Sequence, residues 1–138
     1  MTDGAELADR YVALWNEPDP DRRRAMIAGL WTEDGAHILQ PPEEVHEIAS
    51  RPGIGLSARL EARGHAALEA RAASAYEEFI APGEFSFRKR DDPVRLADVV
   101  KFRWEMVSMS GEVAGVGLEF LLMAPDGRIR ADYQFIES

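Results

Sequence analysis

The sequence predicts an α+β fold in one domain over residues 1–138, with helices packed on one face of an antiparallel sheet. Its length fits a single hydrophobic core and is too short for two. Helical patterns come first, and residues 94–136 then form three long apolar runs separated by turn residues at 108–111 and 124–127. Helices and strands segregated along a chain in this way favour helices on one face of an antiparallel sheet.

The composition excludes several classes of protein. A hydrophobic content of 46% is too high for a disordered chain, and the net charge of −9 argues against nucleic acid or anionic membrane as a partner. The absence of cysteine excludes thiol nucleophiles, disulfides and thiolate metal sites. The N-terminus has no secretory signal pattern, and no apolar run approaches the ~20 residues of a membrane span. We therefore expect a cytoplasmic protein.

Two helices are predicted at the start of the chain. Asp3 and Glu6 have the spacing of a capping box, and apolar residues follow at helical intervals, which predicts a first helix over residues 4–16. An aspartate followed by Pro20 then predicts the start of a second helix that extends to about Leu30.

The middle of the chain predicts one more helix and two strands. Residues 32–35 have turn chemistry, and residues 36–40 are apolar enough for a short strand. Residues 42–63 carry no clear pattern. An apolar stripe over residues 65–80 predicts the third helix, and alternating phenylalanines predict a strand over residues 84–89.

The strand predicted at residues 112–123 is apolar at both alternating sets of positions. Both faces of the sheet should therefore be buried at this point. One face can pack against the helices, but the other needs a second subunit. The pattern predicts a homodimer formed through the outer face of the sheet.

The chain resembles the nuclear transport factor 2-like superfamily, and within it the SnoaL-like proteins and the ketosteroid isomerases. The resemblance rests on the order of short motifs: YVAL at 11–14, WTEDGAHILQP at 31–41, GHAAL at 64–68, FRWEMV at 102–107 and DGRI at 126–129. It implies a cone-shaped roll in which three helices close over a curved, mainly antiparallel sheet and enclose an apolar pocket. The superfamily includes enzymes, binding proteins and non-catalytic modules, so the fold alone selects no function.

The resemblance to ketosteroid isomerases implies roles for three residues. Tyr11 falls where these enzymes place an oxyanion-hole tyrosine, and Glu119 falls where they place a protonated aspartate. Gln40 stands where they place the general-base aspartate. Because a neutral amide cannot take up a proton at neutral pH, steroid isomerisation by that route is not expected.

Asp132 is the candidate to replace this base, and the turn at residues 124–127 decides where it points. A four-residue turn places Glu119 opposite Asp132, so that both face the pocket and one carboxyl holds a proton while the other accepts one. A turn with Gly127 in a left-handed bulge instead places Asp132 opposite Phe120 on the outer face. The family resemblance favours the first register.

Further side chains are candidates for the pocket wall. Trp104 shares its predicted strand face with two other apolar residues, and the glycines of the neighbouring strand leave room either for its indole or for a ligand. The aromatic rings could instead pack in the core. His37 could instead have a structural role. The histidines lack metal-ligand spacing, so we expect no metal and no cofactor. The ligand-binding candidates are Trp15, His37, Gln40, Phe102, Trp104, Met106, Gly117 and Gln134.

Together these features predict a protein that binds a small apolar ligand bearing a carbonyl or hydroxyl group. One interpretation is a cofactor-independent isomerase, cyclase or dehydratase, with Glu119 as proton donor, Asp132 as base and Tyr11 as a second donor. Gln40 would orient the ligand. The alternative is a non-catalytic ligand-binding or dimerisation module in which the acids are structural.

Overall fold

A computed structural model of the chain describes residues 4–39 and 61–137. In these residues, helices pack against a seven-stranded sheet, as the sequence predicts for an α+β roll. None of the described helices has the length and apolar character that a membrane crossing needs. The elements in chain order are α1 (Gly4–Asn16), α2 (Pro20–Leu30), β1 (Trp31–Leu39), β2 (Glu61–Arg63), α3 (His65–Ala75) with a π-helical turn (Tyr76–Ile80), β3 (Phe85–Lys89), β4 (Val94–Leu96), β5 (Val99–Ser108), β6 (Val113–Met123) and β7 (Ile129–Glu137).

Helices α1 and α2 confirm the predicted ranges, and side chains at their ends fix them in place. The Asp19 carboxylate accepts a hydrogen bond of 3.0 Å from the backbone N–H of Asp21, which caps the N-terminus of α2. At the C-terminal end of α1, the Asn16 amide donates to the Phe87 carbonyl at 2.7 Å and accepts from the Phe87 N–H at 2.9 Å. This pair of bonds ties α1 to the edge strand β3.

The strands of the sheet lie in the order β2-β1-β7-β6-β5-β3, and β4 pairs with β5. The pairing of β1 with β7 is parallel and the others are antiparallel, which confirms a mainly antiparallel sheet. Strands β5, β6 and β7 form the predicted meander. Its two turns contain Gly111 and Gly127, which have φ angles of 91° and 88°, a region that glycine enters at little cost.

The turn predicted at residues 32–35 is wrong, because these residues lie within β1 as an irregular segment. The register of β1 with β7 breaks between Trp31 and Ala36. Gly35 fits this bulge because a side chain there would collide with its neighbours: a Cβ atom would lie 2.8 Å from the Trp31 side chain and 3.0 Å from the Ile129 carbonyl. The glycine that suggested a turn therefore serves a bulge inside the strand.

The third helix covers the predicted range but changes its winding. It is α-helical through Ala75 and then forms the π-helical turn, in which one more residue is accommodated per turn. Leu68 and Ala72 are its buried residues. Within the stretch that had no clear pattern, residues 61–63 form β2, and the rest lies outside the described residues.

The core lies between the helices and one face of the sheet. Tyr11 and Leu14 of α1, Trp31 of β1, Phe102 of β5 and Leu121 of β6 are all at most 2% exposed. Aromatic rings meet at its centre: Tyr11 packs edge-on against Phe102 with ring centroids 5.5 Å apart. The tyrosine that the resemblance places in a functional role therefore also forms part of the core.

Candidate functional site

A cavity of about 530 Å³ lies between the helices and the inner face of the sheet. Its volume is in the range of pockets that hold small organic ligands. Most of its wall is apolar and includes the rings of Trp15, Phe79, Phe87 and Trp104. The polar or charged side chains on the wall belong to Tyr11, His37, Arg71, Glu78 and Gln134.

Two carboxyl groups lie behind this wall, both with 0% exposure: Glu119 on β6 and Asp132 on β7. The Tyr11 hydroxyl contacts both, at 2.9 Å from Glu119 Oε1 and 2.6 Å from Asp132 Oδ2. Trp104 Nε1 donates a hydrogen bond of 3.0 Å to Glu119 Oε1. The two acids therefore do not line the cavity themselves, whereas Tyr11 and Trp104, which contact them, do.

The hairpin between β6 and β7 begins with the turn that the resemblance did not favour. The N–H of Ala124 donates to the carbonyl of Arg128 at 2.7 Å, and the positive φ of Gly127 is that of a left-handed bulge position. The four-residue turn expected from the resemblance is therefore wrong.

A second irregularity follows, between the pairs formed by Leu122 and Met123. Met123 pairs with Ile129, but Leu122 pairs with Ala131, so Arg130 is an extra residue on β7. An extra residue of this kind reverses which side chains of a strand face the core. The turn alone would place Asp132 on the outer face of the sheet, and the β-bulge at Arg130 returns it to the inner face.

As a result, Asp132 pairs with Leu121 and Glu119 pairs with Gln134. The direct pairing of Glu119 with Asp132 that the family resemblance favoured is wrong. The two acids still lie on the same, inner face of the sheet because of the bulge, and both contact Tyr11.

The geometry of the three groups requires one carboxyl proton. A phenol has a single proton, so Tyr11 donates to one acid only, and its contact with the other needs a proton on that carboxyl. Glu119 Oε2 and Asp132 Oδ1 are buried without a hydrogen-bond partner among the described residues. Burial, followed by the charge of Asp132, raises the pKa of Glu119 well above its ordinary value. We therefore assign the proton to Glu119.

Tyr11 is held in its neutral form in the same site. Burial, followed by the nearby charge of Asp132, raises the pKa of the phenol well above its ordinary value. Tyr11 can therefore pass a proton on only while it receives another, since a phenolate beside two acids would be costly.

His37 is buried on the cavity wall, and its ring lies 5.3 Å from that of Trp15. Its Nε2 is 3.0 Å from Gln134 Oε1 and 3.6 Å from Asp132 Oδ2. Its Nδ1 is 3.1 Å from Arg71 Nη1. Burial lowers the pKa of His37 despite the charge of Asp132, so the imidazole is neutral at neutral pH.

His37, Glu119 and Asp132 also have potential metal-ligating atoms within 4.8 Å of one another. The surroundings of these atoms are rich in hydrogen-bond donors, with Trp104 and Tyr11 directed at the acids and the Arg71 guanidinium beside the histidine. Such surroundings suit a carboxylate pair with one proton better than a divalent cation, which would face a guanidinium nearby.

Trp104 rests directly on the backbone of Gly117. A Cβ atom at Gly117 would lie 2.1 Å from the indole ring, whereas at Gly115 it would meet nothing within 4 Å. The room at Gly117 is therefore used by the indole, while Gly115 lines the cavity. The sequence left open whether the glycines make room for the indole or for a ligand. In the structure Gly117 makes room for the indole, and Gly115 borders the cavity.

We predict that Gly117→Ala destabilises the fold and that Gly115→Ala does not. The new methyl group must displace the Trp104 indole and its hydrogen bond to Glu119, which should lower the free energy of unfolding by about 1–3 kcal/mol. Gly115→Ala on the same strand is the matched control, with an expected change within about 0.5 kcal/mol. Urea unfolding of both variants measures the difference, and equal stabilities would contradict the prediction.

The structure brings most of the predicted pocket residues to the cavity. Trp15, His37, Trp104, Met106 and Gln134 line it. In contrast, Phe102 packs in the core against Tyr11, and Gly117 is covered by the indole. Gln40 lies outside the described residues.

Arg71, Phe79 and Phe87 line the cavity but were not predicted to do so. The two phenylalanines were recognised as apolar positions of a helix and a strand, but periodicity does not show which apolar residues border a cavity. Arg71 follows Leu68 by one helical turn on the buried side of α3. A charged residue on the buried side of a helix was the sequence signal that could have identified Arg71 as a residue of the site.

The fold is that of solved nuclear transport factor 2-like structures. A SnoaL-like family protein from Agrobacterium tumefaciens aligns over 100% of both chains, with a TM-score of 0.77 and 22% identity. A nuclear transport factor 2-like protein from Exiguobacterium aligns over 96% of this chain and 98% of its own, with a TM-score of 0.61 and 16% identity.

A third similar structure contains a small molecule. This protein of Catenulispora acidiphila has a ketosteroid isomerase-like fold, was solved with trimethylamine, and aligns over 96% of this chain and 86% of its own, with a TM-score of 0.60 and 12% identity. At the level of sequence, no family model and no curated protein matches the chain. The comparisons therefore confirm the fold that the motifs implied.

Proposed function

We propose that this chain, whose fold is that of the nuclear transport factor 2-like superfamily, binds a small, largely apolar carbonyl or hydroxyl compound and moves a proton on it without a cofactor. The observation that carries the proposal is the cavity of about 530 Å³ with Tyr11 on its wall and two carboxyl groups buried directly behind that tyrosine. The likeness to the SnoaL-like protein and the small molecule in a similar fold support a ligand in this cavity.

In this proposal the proton passes through Tyr11, because the acids themselves do not line the cavity. The phenol O–H gives its proton to a ligand oxygen and recovers one from Glu119. Asp132 is the base: as the phenol oxygen takes up a proton released by the ligand, the phenol's own proton passes to Asp132. Isomerisation, cyclisation and dehydration of carbonyl compounds all need such a proton donor and acceptor on one site.

A simple ketone tests the proposal. Methyl naphthyl ketone is mostly apolar and has exchangeable protons next to its carbonyl group. We expect the protein to quench its tryptophan fluorescence when the ketone binds beside Trp15 and Trp104. In deuterium oxide we expect the ketone's methyl signal in proton NMR to disappear faster with protein than with buffer. Absence of both binding and exchange would overturn the proposal.

Binding without catalysis is the second candidate function. The complete burial of Glu119 and Asp132 favours it, because acids with 0% exposure can also be held for structural reasons. Ketone binding with no exchange above the buffer rate would support this function and exclude the enzyme.

We further propose that the protein forms a homodimer through the outer face of the sheet. Phe120 and Phe135 pack edge-on there, with ring centroids 5.7 Å apart, and Phe135 remains 43% exposed in the single chain. Leu118 and Tyr133 pair with these residues and extend the same apolar surface. A patch of this kind is uncommon on a monomer and typical of an interface.

We predict that Phe135→Glu converts this dimer into a monomer, because a charge at the centre of an apolar interface would be buried without a partner. Met109→Glu, in the turn between β5 and β6, is the control because Met109 is 78% exposed and lies outside the patch. Sedimentation at micromolar concentration should show a dimer for the wild type and the control. A monomeric wild type would contradict the prediction.

A further inference from the structure

A chain of hydrogen bonds fixes the orientation of one cavity amide, and it starts at Arg71. The Arg71 guanidinium donates to the His37 carbonyl at 2.8 Å and lies 3.1 Å from His37 Nδ1. A guanidinium donates hydrogen bonds and accepts none. His37 Nδ1 must therefore be the acceptor, and the proton of the neutral imidazole is on Nε2.

This tautomer determines which way the Gln134 amide faces. His37 Nε2 lies 3.0 Å from Gln134 Oε1, and an Nε2–H needs an acceptor there. The opposite amide orientation would place an NH₂ group against an N–H. The Gln134 carbonyl oxygen therefore faces the histidine, and its NH₂ group is turned away from it.

The NH₂ group of Gln134 has unused donor capacity at the cavity. Gln134 lines the cavity wall, and its amide nitrogen makes no hydrogen bond with the described residues. Of the other donors nearby, Trp104 Nε1 donates to Glu119, and the Tyr11 hydroxyl contacts the two acids and serves the proposed proton transfer. The Trp15 indole N–H has no hydrogen-bond partner within residues 4–39 and 61–137, but it is buried beneath the wall surface.

We propose that the Gln134 NH₂ group binds a carbonyl oxygen of the ligand, and that Arg71 and His37 act as positioning residues that hold it in this orientation. The inference rests on the proposed ligand-binding function and narrows it to compounds with a hydrogen-bond acceptor within an apolar body. A ligand of the same shape without that oxygen leaves the amide unpaired and is bound less tightly.

Two probes of the same shape test this subsite. Methyl naphthyl ketone has the acceptor, and ethylnaphthalene has a methylene group in its place. We expect the wild type to bind the ketone about three- to tenfold more tightly than the hydrocarbon, as measured by tryptophan fluorescence, because one neutral hydrogen bond has about that effect. Gln134→Leu should bring the two dissociation constants together by weakening the ketone alone.

A matched control and a second measurement separate this role from a structural one. Met106→Leu alters an apolar part of the same wall and should change both affinities by the same factor. In the wild type, the side-chain amide NMR signals of Gln134 should shift with the ketone and stay in place with the hydrocarbon; this needs no variant to fold.

The outcomes also separate the subsite from the proposed function. Equal affinity of the wild type for both probes, or a ketone preference that survives Gln134→Leu, would overturn the subsite while ligand binding stands. Failure of both probes to bind would overturn the subsite and the binding function together.

Discussion

Tyr11→Phe is expected to slow proton exchange on methyl naphthyl ketone by about 10²- to 10⁴-fold, the usual contribution of a positioned acid or base. The reason is that Tyr11 is the member of the acid cluster that lines the cavity, while Glu119 and Asp132 are shielded behind it. Ketone affinity should change much less, because the phenyl ring keeps its packing. Proton NMR exchange rates and fluorescence titrations separate the two effects.

The same substitution should also lower stability. Each acid loses the hydroxyl that it contacts at 2.9 Å or 2.6 Å, and the cost of leaving buried polar groups without a partner is about 1–3 kcal/mol. Tyr133→Phe is the control, because Tyr133 is 39% exposed on the outer face. An exchange rate in Tyr11→Phe equal to that of the wild type would remove Tyr11 from the proton path.

Glu119→Gln is expected to make the protein more stable than the wild type at alkaline pH. Burial raises the pKa of Glu119 in the folded state above the ordinary value of 4.5. The unfolded chain therefore releases this proton at a lower pH than the folded chain. The stability that Glu119 contributes in its protonated form is fully present below its pKa in the unfolded chain. This contribution is lost as the pH rises toward its pKa in the folded chain.

The glutamine variant has no such proton, so its advantage over the wild type should grow with pH. The growth begins near the ordinary glutamate pKa and has a slope of at most about 1.4 kcal/mol per pH unit. An amide whose carbonyl oxygen takes the place of Glu119 Oε1 can still accept from Trp104 Nε1, so that hydrogen bond survives. Urea unfolding at intervals from about pH 5 to about pH 9 measures the slope.

Two comparisons make this result specific to Glu119. The lowered pKa of His37 has the opposite effect, since its contribution is lost as pH falls, but it is present in both proteins and cancels in their difference. Glu112→Gln, at an exposed position before β6, should follow the wild-type curve. Parallel curves for Glu119→Gln and the wild type would mean that the glutamate is ionised in the folded protein.

The sequence was sufficient where local rules act on consecutive residues. The ranges of α1 and α2 follow from helical spacing and, for α2, from the Asp19 cap and the proline after it, which depend on a few neighbours; Asp3 of the capping box predicted for α1 lies outside the described residues. The meander of β5, β6 and β7 follows from alternating apolar residues and glycine turns. The order of the motifs was enough to imply the cone-shaped fold, and it identified Tyr11 and Glu119 as partners.

Only the tertiary structure decided how the site is assembled. The facing of Asp132 depends on a turn and on a bulge at Arg130, and each of them alone would reverse it. A bulge leaves no periodic signal, because one extra residue in a strand changes pairing without changing composition. Likewise, the orientation of the Gln134 amide depends on Arg71 of α3 and His37 of β1, which are distant in sequence. The sequence by itself therefore determined the main helices and the meander, and through its motifs the role expected of Glu119. The packing of α1 and α3 on the sheet and the bulge in β7 determined which acids are buried and which side chains border the cavity, because contacts between distant residues arise only once the chain has folded.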